Sequence, residues 1–88
     1  MLVSNKCEGD SCTIYTSSSA MMYGQFLCED CWCYYRDKIK ALLDYGVRIE
    51  LKDNSWTVCY RGRVVENAEV LQWQRLIRSV YAQMPITI

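Results

Sequence analysis

The sequence predicts an α+β fold: a small cysteine-held finger, then a three-stranded antiparallel meander and a C-terminal helix. Three observations lead there. The early cysteines fall in two pairs, Cys7 with Cys12 and Cys28 with Cys31. Apolar residues recur at helical spacing from Trp32 to Leu43, then switch to a twofold period between Val47 and Tyr60. Helical spacing returns from Val70 to Met84. A chain of 88 residues has room for a single domain, 1–88, with a finger part at 7–45 and a meander-plus-helix part at 46–88 that are expected to share one core. A core of that size is marginal, so a metal or disulfide staple is expected to support it.

Each element has its own signal. The polar run Thr16-Ser17-Ser18-Ser19 suits a hairpin tip, with short strands expected at Thr13 to Tyr15 and around Tyr23 to Leu27. Trp32, Tyr35, Ile39, Leu42 and Leu43 form one apolar stripe, and Gly46 follows where a helix takes a left-handed terminating residue, which predicts a helix over about 30–44. Val47, Ile49 and Leu51 then alternate with Arg48, Glu50 and Lys52, the pattern of a half-buried strand. Lys52-Asp53-Asn54-Ser55 supplies a turn before the second strand, marked by Trp56, Val58 and Tyr60, and Gly62 permits another reversal into Arg63 to Val65. Asn67 is the expected N-cap of the last helix, with Glu69 in its first turn, a stripe of Val70, Trp73, Ile77, Val80 and Met84, and Pro85 as its stop.

The cysteines carry the chemistry. Zinc asks for four soft ligands at tetrahedral corners, and thiolates meet both its charge and its borderline softness. Cys28-x2-Cys31 can place both sulfurs on one ion, and the wider Cys7-x4-Cys12 pair can do so if the intervening turn bulges, which Gly9 makes easier. The second pair stands where a helix begins, and free amides there stabilise thiolate charge. The expected metal ligands are therefore Cys7, Cys12, Cys28 and Cys31, and the expected cofactor is Zn2+. An even cysteine count is also the mark of a disulfide scaffold, but in a reducing compartment metal binding explains six cysteines better. Cys33 can approach the metal through a bulged C-x-C arrangement, although packing is its expected role, and Cys59 is expected on the strand face opposite Trp56.

The run Phe26-Leu27-Cys28-Glu29-Asp30-Cys31-Trp32-Cys33-Tyr34-Tyr35-Arg36 resembles the GATA-type zinc finger, in particular the divergent form found in chromatin corepressors. The resemblance spans residues 7 to about 40. It implies a treble-clef finger, in which a cysteine loop, a hairpin and a cysteine pair entering a helix surround one zinc ion, and it implies a part in transcription regulation. Three features depart from the family: its first cysteine pair normally encloses two residues, not four, its interval between the pairs is usually slightly longer than the fifteen residues here, and its DNA-binding members carry a basic tail and a basic hairpin. Thr13 to Leu27 has no Lys or Arg. The resemblance thus implies the ligands and the fold more than DNA recognition.

Composition narrows the function. The chain is 51% hydrophobic, 12% aromatic and 23% charged, as folded proteins are. Ten basic and ten acidic residues cancel, which removes the usual driving force of an electrostatic nucleic-acid binder. With no histidine, the chain lacks Ser-His and Cys-His nucleophile pairs, so no enzyme is expected. The opening residues lack a secretory apolar stretch and no run approaches the roughly 18 apolar residues of a membrane span, so the expectation is an intracellular protein, cytoplasmic or nuclear. A regulatory or adaptor module for a protein partner is the first expectation, with Trp32, Tyr34, Tyr45 and Trp73 as aromatic anchors. The alternative is nucleic-acid binding through Arg61, Arg63, Arg75 and Arg78, with Tyr60 or Trp73 to stack on bases. Those arginines are equally what solvated strand and helix faces carry.

Overall fold

The computed structural model describes residues 4–17 and 20–84. They form an α+β fold with two two-stranded sheets, one three-stranded antiparallel sheet and two α-helices. The chain divides into two compact units, the first ending at Arg36 and the second starting at Asp37. No helix among the described residues is long and apolar enough to cross a membrane.

In the first unit, β1 (Asn5–Lys6) pairs antiparallel with β2 (Tyr15–Thr16), and the loop between them carries the first cysteine pair. The N–H of Cys7 donates to the carbonyl of Ile14 at 2.8 Å, prolonging the pairing into the loop. A second hairpin joins β3 (Ala20–Met22) to β4 (Gln25–Leu27). Its turn is Tyr23-Gly24, with φ of 48° and 84°. Positive φ at both central positions is the two-residue reversal whose twist matches that of the flanking strands. The expected hairpin, with its tip in the serine run, is thereby replaced by two smaller ones: Tyr15 turns back on Lys6, and Gly24 makes the second reversal cheap. Ser18 and Ser19 lie outside the described residues.

Helix α1 (Glu29–Asp44) starts directly after Cys28, whose carbonyl accepts from the N–H of Trp32 at 2.9 Å. Glu29 and Asp30 put negative charge in the first turn, where the helix dipole favours it. The other end is closed by Gly46 at φ 102°, with Gly46 N–H donating to Leu43 and Val47 N–H to Leu42 at 3.1 and 3.0 Å. This double bond pattern satisfies carbonyls that the helix cannot, and it buries Leu42 and Val47.

The second unit is built on β5 (Arg48–Lys52), β6 (Ser55–Tyr60) and β7 (Arg63–Glu69), in that order across the sheet. Both connections are again two-residue reversals, Asp53-Asn54 at φ 51° and 61°, and Arg61-Gly62 at 53° and 77°. Asn67 does not cap a helix, and Glu69 stands before a 3-10 turn with no side-chain capping bond rather than in the first turn of α2. They lie in β7 opposite Thr57 and Ser55, because the ladder with β6 runs on past Val65 and supplies partners that a cap would have had to replace. A 3-10 turn at Val70–Gln72 follows, and α2 begins only at Trp73, ending at Gln83. Trp73, Leu76, Ile77 and Val80 are buried at helical spacing on α2, and Trp56 and Val58 are buried at twofold spacing on β6. Pro85, the expected stop, lies outside the described residues.

Candidate metal centre

Four sulfurs converge in the first unit. The Sγ atoms of Cys7, Cys12, Cys28 and Cys31 all lie within 4.8 Å of one another, a grouping that can hold a metal ion. Cys12 and Cys28, drawn from the two different pairs, are 3.9 Å apart at sulfur. Cys7 and Cys28 are buried, and Cys12 and Cys31 half-buried. All six cysteines are free thiols. The cluster leaves out Cys33, half-buried on α1, and Cys59, half-buried on β6 of the other unit.

The local chain explains the convergence. After Cys7 the backbone bends through Gly9, whose carbonyl accepts from the Cys12 N–H at 3.0 Å, and Ser11 takes a positive φ of 63° to bring Cys12 round. Gly9 is buried against the cluster, and a Cβ there would stand 2.7 Å from Cys31 Sγ and 3.3 Å from Cys7 Sγ. Only a residue without a side chain lets the loop close on the sulfurs. The loop is tied to the hairpin by Glu8: its N–H donates to the Phe26 carbonyl at 2.7 Å and its carboxylate accepts from the Phe26 N–H at 2.6 Å. That clamp ends one residue before Leu27-Cys28, so it holds the two cysteine pairs facing each other.

Backbone amides treat the four sulfurs unequally. Cys7 Sγ accepts from the N–H of Gly9 at 3.3 Å and from that of Cys28 at 3.2 Å. Burial raises the Cys7 pKa, but those amides, aided by the thiols of Cys12 and Cys31, outweigh it and bring the group down to about 7. For Cys12 the Ile14 N–H favours the thiolate, yet burial and the sulfurs of Cys7 and Cys28 prevail over it and over the Cys31 thiol, and push its pKa up. Cys31 is pushed up furthest, by burial first and then by the sulfurs of Cys7, Cys28 and Cys12. Crowded sulfurs resist collecting negative charge. A cation among the sulfurs of Cys7, Cys12 and Cys31 would relieve that repulsion, as it does at a metal site.

The arginines expected to face nucleic acid sit in the second unit. Arg61 and Arg63 flank Gly62 at the β6–β7 turn, with the Arg61 guanidinium 5.2 Å from the Tyr60 ring centre and Tyr60 stacked on Tyr45 at 5.5 Å. Arg75 borders a groove of about 250 Å³ that it shares with Glu66 and Glu69, so its surroundings are of mixed charge. Arg78 is half-buried on α2, and Trp73 is buried rather than offered for stacking. The sequence points to these four cysteines and to a bulge eased by Gly9, and the four sulfurs do lie together, but it gives no sign of Glu8 or of the two amides on Cys7. An acidic residue beside a ligand carries no mark of the strand it will clamp, and amide direction follows from backbone path, not from residue type. Comparison of the chain with protein-family models, curated proteins and solved structures finds no match.

Proposed function

We propose that the chain holds one structural zinc ion on Cys7, Cys12, Cys28 and Cys31, and that the zinc-braced finger serves as a regulatory or adaptor module binding a protein partner. The convergence of four sulfurs from two loops carries the zinc reading. Sulfurs 2.3 Å from a tetrahedral zinc are separated by about 3.8 Å, and the Cys12–Cys28 separation is 3.9 Å. Four cysteine ligands fill the coordination shell and leave no position for substrate, which favours a structural over a catalytic ion. The order of knuckle, hairpin and helix, with one ligand pair on the knuckle and one at the helix start, supports the treble-clef and GATA-like resemblance at the level of ligand placement.

A protein partner is favoured over nucleic acid by the surface of the finger. Tyr15, Tyr23, Phe26 and Tyr34 are exposed, and no Lys or Arg occurs between Lys6 and Arg36. Phosphate contacts need cations, whereas protein interfaces are anchored by aromatic and apolar side chains. Elemental analysis of protein purified under reducing conditions is expected to find one zinc per chain. Titration with duplex DNA and RNA at moderate salt is expected to show no binding. Tight binding that weakens steeply with salt would replace the protein partner with nucleic acid, and folded, metal-free protein with paired cysteines would remove the zinc.

A further inference from the structure

The β3–β4 hairpin has two unlike faces. Leu27 is fully buried and its face-mates Met22 and Gln25 are half-buried. On the other face Met21 and Phe26 are direct cross-strand partners, 53% and 38% exposed, with Tyr23 exposed at the turn. Cross-strand side chains of this kind stand close enough to form one apolar surface. Between Lys6, itself exposed on β1, and Arg36 every charged residue is acidic. Glu8, Asp10, Glu29 and Asp30 are all exposed. Glu8 is hydrogen-bonded to the backbone of Phe26 itself, and Glu29 and Asp30 follow two and three residues after the end of β4.

We propose that the Met21–Phe26 face is the docking surface for a basic segment of the partner, one in which a leucine, methionine or aromatic anchor is flanked by lysine or arginine. The proposal rests on the protein-partner reading above and names the chemistry of that partner. An apolar face in an acidic stretch of chain attracts a peptide whose anchor can cover Met21 and Phe26 while its cations meet Glu8, held against Phe26, and the carboxylates that follow β4. A zinc ion on four thiolates adds further negative charge to the same unit. The same carboxylates oppose the other occupants. A second copy of this face would set carboxylate against carboxylate, and phosphate-bearing surfaces would meet no cation between Lys6 and Arg36.

The test uses the full zinc-loaded chain as bait for a phage-displayed dodecapeptide library, followed by anisotropy titration of synthetic versions of the enriched sequences. Enrichment of Lys or Arg beside Leu, Met or an aromatic is expected. Affinity is expected to fall at least about tenfold for Met21→Thr combined with Phe26→Thr, a change that keeps β-propensity and removes the anchors. It is also expected to fall as NaCl rises from about 50 to about 500 mM. Zinc content and amide spectra establish that the variant is folded, and amide shifts on the parent chain, expected at Met21, Phe26 and Glu8, locate the surface independently of any variant. Enriched peptides that bind the folded variant as well as the parent, with shifts elsewhere, would overturn this surface and leave the protein-partner reading standing. Acidic or salt-insensitive winners would overturn the charge complementarity. No enrichment, together with tight duplex binding by the same zinc-loaded chain, would remove the partner reading as well.

Discussion

At Gly9 the backbone passes so close to the sulfurs that a methyl group has no room, since its carbon would lie 2.7 Å from Cys31 Sγ and 3.3 Å from Cys7 Sγ. Gly9→Ala is therefore expected to force the loop outward and to weaken metal binding by roughly 10- to 100-fold, the usual cost of disturbing the surroundings of a metal site. Competition with a chromophoric chelator measures it. Cys33→Ala and Cys59→Ala, by contrast, remove thiols that lie outside the cluster, and both variants are expected to keep a full complement of zinc by elemental analysis. Loss of metal from either folded variant would refute the ligand assignment. Acid acts on the ligands themselves. Cys7 sits near pKa 7 while Cys12 and Cys31 are held above their ordinary value, so zinc must displace protons, and its affinity is expected to fall by at least about tenfold per unit as pH drops below 7. The two cysteine pairs that meet in the cluster were legible because their spacing is a local property of the chain. The amides that favour the Cys7 thiolate come from 2 and 21 residues away, and no local pattern announces the second of them.

Turns and helix ends decide the elements. Gly46 at φ 102° closes α1 with two backbone bonds, and Gly46→Ala is expected to destabilise the second unit by about 1–2 kcal/mol, because an L-residue is strained there. Urea unfolding followed by tryptophan fluorescence reads this directly, since Trp56 and Trp73 are both buried in that unit. Asn67→Ala is expected to cost less than about 0.5 kcal/mol by the same measurement. Asn67 is an exposed strand residue and not a cap, and a lost cap would cost about 1 kcal/mol. A larger loss with frayed α2 amides would count against its strand placement. Reversals at Asp53-Asn54 and Gly62 could be anticipated because these residues accept positive φ. The start of α2 could not, since Asn67 and Glu69 make a good local helix entrance that the ladder to Thr57 and Ser55 overrides. Tyr23 and Arg61 likewise adopt positive φ beside a glycine, a conformation their own types do not advertise.

On the scale of the whole chain, the proposed metal is expected to support the fold unequally in the two units. Among the described residues, Leu27 and Tyr35 are the large buried apolar side chains of the first unit, alongside Cys7 and Cys28 of the sulfur cluster, whereas the second holds Leu42, Val47, Trp56, Val58, Trp73, Leu76, Ile77 and Val80. So small an apolar core does not offset the chain entropy of the finger without coordination, for which structural zinc supplies roughly 10 to 16 kcal/mol in small fingers. Chelation is expected to remove hydrogen-exchange protection from residues 7–35 first while the meander amides stay partly protected. A finger still protected in verified metal-free protein would make the zinc incidental. The boundary between the units adds a further consequence. Such boundaries usually fall in exposed linkers, but Arg36 and Asp37 lie in the middle of α1, whose first turn carries Cys31. Arg36, Lys38 and Lys40 are trypsin sites that helical hydrogen bonds keep closed. Once the cysteine-bearing turn is released, the helix would fray from that end, and cutting at Arg36 is expected to accelerate before any cut in the sheet, so that trypsin sensitivity within α1 is expected to read out whether the proposed ion is bound.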